Sequence, residues 1–476
     1  MAQMQTIAGA LRLRLLVLTG LLAVLGFALT TDASAGGHAS PERPAAPPAA
    51  ASLAPLCSAT HWVASWGDSP SDAAAGLDAS LKEVVLGADQ SFRMILTPHL
   101  SGRVIRLHLS NRFGSQPVTF AGVDIGDRQS GAALVPGSDR AVTFDGGSTS
   151  VSVPAGAEVL SDPIDFRVAP FTDLAVSLYV SSGSDPTEHF TGRQTSYLTP
   201  PAAGNHVADA SGRAFSQSTT ARYYVTGLDV EASQRVGAVV AFGDSITDGF
   251  QGPPDHYPET QSTLNLNDRY PDVLQRRLDA AAIPLSVINA GISGNRLLSN
   301  ASSSHFGVSG LTRFTEDALH VPGVTDVILV EGLNDIGDDH GVSAQQLISG
   351  YEQAVSLAHA AGVKIQLGTL TPSGGYSESS YSDAAADSVR TAVNAWIASQ
   401  HLSDGYVDFD AAVRDRSDPA DLAPQDDGGD GLHMSPAGYQ AMAGAVGLDQ
   451  LARARCRVAT SATQAPSRHN RPHRPR

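Results

Sequence analysis

The order of apolar and polar positions divides the chain into segments of different texture. Between about His61 and Val230 the apolar residues come in short runs broken by Gly, Pro, Asp and Ser. SFRMILTPHL, GRVIRLHLSNRF, QPVTFAGVDI, TSVSVPAG, DLAVSLYVSS and RYYVTGLDV are examples. In GRVIRLHLSN, Val104, Ile105, Leu107 and Leu109 are interleaved with Arg106, His108 and Ser110. That is close to the two-residue period of a strand with one buried face. No amphipathic helix pattern interrupts the stretch, which predicts an all-β sandwich or jelly-roll-like domain. The texture changes near residues 231–234. VGAVVAF (236–242), PLSVINA, TDVILVEG and VKIQLGTL are nearly unbroken apolar runs. YPDVLQRRLDAA, SAQQLISGYEQAVSLAHAA and SDAAADSVRTAVNAWIASQ alternate with them and have the spacing of helices. Strands covered on both faces by crossover helices read this way, so the second half predicts an α/β domain on a parallel sheet. No internal repeat is visible.

The ends of the chain differ from its body. Arg12 and Arg14 precede a fifteen-residue apolar run, Leu15 to Leu29, and Ala33-Ser34-Ala35 follows as a small-x-small cleavage site. A membrane span needs about 20 apolar residues, so this pattern predicts a secretory signal peptide over 1–35 and an extracellular mature protein. An uncleaved N-terminal anchor is the rival reading. Residues 36–56 are Ala/Pro-rich and read as a linker. The predicted domains are 57–232 (β-rich) and 233–456 (α/β), followed by a basic, disordered tail over 457–476. The net charge is −17, of which the first 35 residues contribute +1 and the last 20 contribute +5, leaving −23 on the body. Such a body repels phosphate backbones, which excludes nucleic acid as the main partner. No stable membrane span is expected, and the oligomeric state is left open.

In a doubly wound sheet the reactive groups belong at the carboxyl ends of strands. The first such strand ends in Gly243-Asp244-Ser245-Ile246-Thr247-Asp248-Gly249, and the second runs into Asn289-Ala290-Gly291-Ile292-Ser293-Gly294-Asn295. The third ends in Glu331-Gly332-Leu333-Asn334-Asp335, and Asp430-Gly431-Leu432-His433 precedes the last helical pattern. In this order the blocks resemble the four signature blocks of the SGNH (GDSL-type) hydrolases, over about residues 236–452. The β-rich half, with its HWVASW start, is similar to the domain that precedes some secreted members. A lone GDS is weak evidence, since Gly67-Asp68-Ser69 is a second copy, which reads as a turn.

The resemblance implies a three-layer, flavodoxin-like parallel sheet and a secreted serine esterase acting through an acyl-enzyme, without metal or cofactor. It assigns Ser245 as nucleophile, His433 as base and Asp430 as the carboxylate that orients it. Ser245 (N–H), Gly294 (N–H) and Asn334 (side-chain amide) are its oxyanion donors. A hydroxyl becomes a useful nucleophile only when a base takes its proton, and the three-residue spacing of Asp430 and His433 keeps base and carboxylate on one segment. His340 and His401 are formal rivals for the base, and Asp426 and Asp427 for the carboxylate; surface solvation is the expected role of the two aspartates. Gly291 is the alternative to Gly294, with a turn at positive φ as its expected role. Asp244 and Asp335 are expected to fix loops. Met434 stands where many relatives have proline. Asp338-Asp339-His340 lacks the spacing of a zinc site.

The insertion FQGPPDHYPETQSTLNLND is polar, which fits short acyl esters of carbohydrate, or simple esters, better than triacylglycerol. An extracellular lipase or phospholipase is the alternative within enzymes. A carbohydrate- or surface-binding protein with a vestigial hydrolase domain is the alternative outside them. Trp62 and Trp66 are read as core or interdomain packing before a sugar platform. Export permits a disulfide between the only two cysteines, Cys57 and Cys456, with two free thiols as the rival.

Overall fold

A computed structural model of the chain describes residues 59–73, 88–182, 186–252, 264–301, 303–338 and 341–451. The predicted signal peptide, linker and tail lie outside the described residues, as do His340 and both cysteines of the expected bridge.

The short alternating runs form antiparallel strands. Thr60–Gly67, Val225–Ser233, Gly102–Ser110 and Ile164–Val168 lie side by side in that order in one sheet. A second sheet is centred on Gln90–Leu96, Leu174–Ser182 and Val118–Ser130. Inward residues of both sheets share one apolar core, with Ile105, Leu107 and Leu228 from the first meeting Phe92, Met94 and Leu178 from the second. Face-to-face sheets around a common core make a sandwich. A third, small sheet joins Arg222–Tyr223, Thr187–His189 and Ser71–Asp72.

Four of the unbroken apolar runs form parallel strands: Gly237–Gly243, Leu285–Gly291, Val324–Val330 and Lys364–Gly368. The first two are buried throughout, as expected for strands covered on both faces. A fifth strand, Gly405–Val407, completes the sheet. In chain order the strands lie 2-1-3-4-5, all parallel, which is the flavodoxin-like arrangement. The expected helices are Tyr270–Ala280, Ala344–Ala360 and Ala384–Ser399. The last of them starts at the Asp383 side chain, which accepts the Ala386 N–H at 2.8 Å.

The described residues of the β-rich and α/β halves fall in one compact unit. Strand Thr60–Gly67 packs on the edge strand Leu285–Gly291, and its Val63 and Ala64 belong to the α/β core. His99 of the β-rich half bonds the Val287 carbonyl (2.7 Å) and the Asp272 carboxylate (3.1 Å) of the other. Trp66 is buried in the sandwich core and Trp62 is half-buried under the Arg106 guanidinium, 4.5 Å from its ring centre. Both tryptophans serve packing.

Candidate active site

The central strand Gly237–Gly243 ends at Gly243, where a Cβ would lie 2.2 Å from the Val330 carbonyl oxygen. Only glycine lets the chain turn that closely beside its neighbour. Asp244 follows as a cap, its carboxylate accepting the Ile246 N–H at 3.0 Å and starting the four-residue helix Ser245–Asp248. Gly249, at φ 106°, ends that helix after one turn. The turn fixes Ser245 at the carboxyl end of the sheet.

His433 lies 188 residues further along the chain, yet its Nε2 accepts the Ser245 hydroxyl at 2.9 Å. Its Nδ1–H donates to Asp430 Oδ2 at 2.8 Å. The other oxygen of Asp430 accepts the backbone N–H groups of His433 (2.8 Å) and Leu432 (3.0 Å), so the carboxylate cannot rotate away. Burial opposes ionisation of Asp430, but the hydrogen bonds and charge of His433 outweigh it and hold the carboxyl below the ordinary range. The Phe250 ring braces the imidazole edge to face, with centroids 4.6 Å apart.

Gly294 and Asn334 line the same cavity as Ser245 and His433. Asn334 Nδ2 gives one hydrogen to the Asn295 carbonyl (2.9 Å), which leaves its second hydrogen for a ligand. That bond sets which way the amide faces, and the Tyr381 hydroxyl lies 3.0 Å from Asn334 Oδ1 and 2.9 Å from Asp338 Oδ1. Asp335 fixes the loop after Gly294 by accepting the Leu297 and Leu298 N–H groups at 2.7 and 2.9 Å. Gly294 adopts φ 76° and Phe306 fills the space where its Cβ would be, 2.6 Å away.

Several expectations need correction. Gly291 is not in the left-handed region; it is glycine because a Cβ would sit 2.2 Å from the Asp248 nitrogen. Asp426 is buried rather than solvated, bonding Gln425 at 3.0 Å. Asp427 is half-buried and accepts the Gly429 and Gly431 N–H groups at 2.7 and 3.0 Å, shaping the loop that carries Asp430. His401 is exposed and does not line the cavity. The second GDS is a connection, but a buried one: Asp68 pairs with Arg222 at 2.6 Å.

Arg313 carries no motif signal, and sequence reasoning missed it. It is fully buried, with its guanidinium over the Phe242 ring. It donates to the carbonyls of Gly243 and Ala290 (both 2.8 Å) and to Asn295 Oδ1 (2.7 Å). It thereby ties the strand that ends at Gly243 to the loop that carries Gly294. Its single sequence clue is a lone cation in the apolar stretch Gly310–Phe314.

Residues 241–441 match the model of the GDSL-like lipase/acylhydrolase family. Comparison with curated protein sequences finds no match. Among solved structures, an aryl esterase from M. smegmatis is similar at 17% identity and TM-score 0.37, covering 44% of this chain and 96% of that one. A carbohydrate acetylesterase from Sinorhizobium meliloti is similar at 15% identity and TM-score 0.36, covering 44% and 94%. A GDSL-like lipase from Bacteroides thetaiotaomicron is similar at 19% identity and TM-score 0.31, covering 44% and 85%. With its four blocks in order and matched by the family's own model, the segment 241–441 is a carboxylic ester hydrolase domain of the GDSL-like lipase/acylhydrolase family.

Proposed function

We propose that this chain is a secreted serine esterase that cleaves short acyl groups from carbohydrate or from simple esters through an acyl-enzyme. The observation that carries the reading is the relay Ser245–His433–Asp430, joined by hydrogen bonds of 2.9 and 2.8 Å at the edge of a cavity of about 860 Å³. His433 takes the Ser245 proton as Oγ attacks the ester carbonyl, and Asp430 stabilises the imidazolium that forms. Negative charge then develops on the former carbonyl oxygen, where the N–H groups of Ser245 and Gly294 and the amide of Asn334 receive it. The imidazolium returns its proton to the leaving alcohol. Water, activated by the same imidazole, then hydrolyses the acyl-enzyme.

The cavity lining supports a neutral, hydrophilic ester. It includes the carboxylates of Glu378, Asp421 and Asp427, and no Lys or Arg lines it among the described residues. Those carboxylates disfavour anionic alcohols such as phospholipid head groups. Export rests on the Arg12/Arg14–apolar–Ala33-Ser34-Ala35 pattern.

Turnover of p-nitrophenyl acetate and palmitate by the purified protein tests the reading. Acetate is expected to be the better substrate. Ser245→Ala is expected to lower kcat by several orders of magnitude. Ser69→Ala, which removes an acceptor for Arg313 at 3.2 Å, is expected to change kcat far less, because Arg313 keeps its bonds to the Gly243 and Ala290 carbonyls. Preference for palmitate favours the lipase reading, and absence of any turnover favours the binding protein.

A further inference from the structure

The segment following strand Thr187–His189 belongs by pairing to the β-rich half, since that strand bonds Ser71–Asp72 on one side and Arg222–Tyr223 on the other. It nevertheless reaches the oxyanion loop of the other half. His189 is buried, and both of its ring nitrogens face acceptors: Nδ1 the Ser69 carbonyl at 2.9 Å, Nε2 the Asp248 carboxylate at 3.2 Å. An imidazole with an acceptor at each nitrogen satisfies both only as the doubly protonated cation. The Thr191 hydroxyl bonds the second oxygen of Asp248 and lies 3.0 Å from Ser293 Oγ. Asp248 in turn accepts the Ser293 N–H at 3.1 Å and the Ser293 hydroxyl at 2.6 Å. Ser293 is the residue before Gly294, so its carbonyl and the Gly294 N–H belong to one peptide unit.

A second contact fixes the same peptide from the other side. Phe190, between His189 and Thr191, packs on His305 with centroids 4.5 Å apart. His305 packs on Phe306 at 4.1 Å, and Phe306 lies over Gly294. A hydrogen-bond relay and an aromatic stack thus run from three consecutive residues of the β-rich half to one oxyanion donor.

We propose that His189 and Thr191 are positioning residues of the ester-cleaving site, acting through Asp248 to hold the Ser293–Gly294 peptide so that its N–H points at the developing oxyanion. The inference rests on the esterase reading of the site. It gives the β-rich half a part in catalysis: the half completes the oxyanion hole. Preorganised donors stabilise a transition state because they need no reorganisation as charge appears, so a loosened Gly294 peptide slows turnover without weakening substrate binding. The charged groups facing His189 are Asp248, Asp68 beside Ser69, Glu188 on its own strand and Arg222 on the neighbouring strand; Arg269 faces Asp248. Burial works against the imidazolium, but Asp68 and Asp248 outweigh it and push its pKa up to about 9.

Steady-state hydrolysis of p-nitrophenyl acetate by the full chain tests this with Thr191→Val, Thr191→Ser and His189→Gln. Thr191→Val removes only the hydroxyl, and it is expected to lower kcat about ten-fold or more while KM stays within two-fold, the split of an interaction made in the transition state. Thr191→Ser, which restores the donor, is expected to recover most of the loss. The wild-type kcat is expected to fall as pH rises through about 9. His189→Gln is expected to lower kcat in the same manner and to remove this fall. Should His189→Gln not fold, the Thr191 pair decides alone. Thr191→Val with wild-type kcat, or a loss that Thr191→Ser does not recover, overturns the inference. A wild type without turnover that depends on Ser245 overturns the esterase reading itself, and this inference with it.

Discussion

Replacing Asp430 by asparagine changes one atom, and the surroundings dictate the consequence. Two backbone N–H groups, of Leu432 and His433, converge on Asp430 Oδ1 at 3.0 and 2.8 Å. In Asp430→Asn they retain the amide oxygen, because the flipped amide would set its NH2 against both donors. Each of those bonds contributes about 1 kcal/mol net, and leaving the donors unpaired costs more. The amide nitrogen must therefore occupy the place of Oδ2 and face His433 Nδ1 at 2.8 Å. Two donors cannot share that contact, so the imidazole moves its proton to Nε2. There it faces Ser245 Oγ at 2.9 Å, and the base has lost the lone pair it needs. The variant also loses the negative charge that stabilises the imidazolium. A tautomer error of this kind in a Ser-His-Asp triad costs about 10⁴ in kcat, or about 5 kcal/mol of transition-state stabilisation. Hydrolysis of p-nitrophenyl acetate measures the loss, with KM expected within a few-fold. The melting temperature is expected near wild type, since both backbone bonds persist. A loss below ten-fold in a folded Asp430→Asn protein refutes the orienting role.

Asn334→Ala removes one oxyanion donor and is expected to lower kcat about 10²–10³-fold; a change confined to KM would make Asn334 a substrate-binding group instead. Stability is expected to decline on the alkaline side. Glu188 is buried, neither carboxyl oxygen has a hydrogen-bond partner among the described residues, and burial pushes its pKa up to about 8. An acid whose pKa is raised in the folded state contributes fully below its unfolded pKa, about 4.5, and loses that contribution as pH rises toward 8. The His189 contribution is complete below about 6.5 and is lost as pH rises through about 9. Thermal melts should therefore show a falling melting temperature between about pH 6.5 and 9, flattened in Glu188→Gln; a level profile across that window contradicts both assignments.

The parts of the fold that were legible in the sequence are those set by local pattern. VGAVVAF and TDVILVEG can hardly be other than buried parallel strands, and Gly243, Ser245 and Asn334 lie at or just past strand ends. Gly405–Val407 escaped notice because a three-residue strand with an exposed Tyr406 has no apolar run to announce it. Gly291 was misread for a related reason. A positive φ and a close approach both select glycine, and the sequence does not distinguish them. The second GDS reads as a turn, and its burial is not legible, because the groups that bury it are remote: Arg222 lies 154 residues beyond Asp68, and Arg313 lies 244 beyond Ser69.

The same distinction explains why the two halves read as two domains and yet fall in one compact unit. Each catalytic block is contiguous in sequence because strand-to-helix turns need only neighbouring residues. The contacts that hold those blocks in register are not contiguous. His99, for example, bonds Asp272, whose carboxylate also takes the Arg269 guanidinium at 2.8 Å, all three side chains being nearly or fully buried. A buried carboxylate needs its lone pairs matched, and Asp272 draws one of its donors from the β-rich half besides the guanidinium of its own half. Arg112 to Asp317 at 2.7 Å repeats the arrangement beside Arg313, whose guanidinium joins Ser69 of the first half to Gly243, the last residue of the nucleophile strand. Polar groups buried between halves must be matched pair by pair, and they resist sliding in a way that apolar surfaces do not. A site that needs donors fixed to within a fraction of an ångström is better served by that kind of interface. The β-rich half is on this argument part of the enzyme's frame.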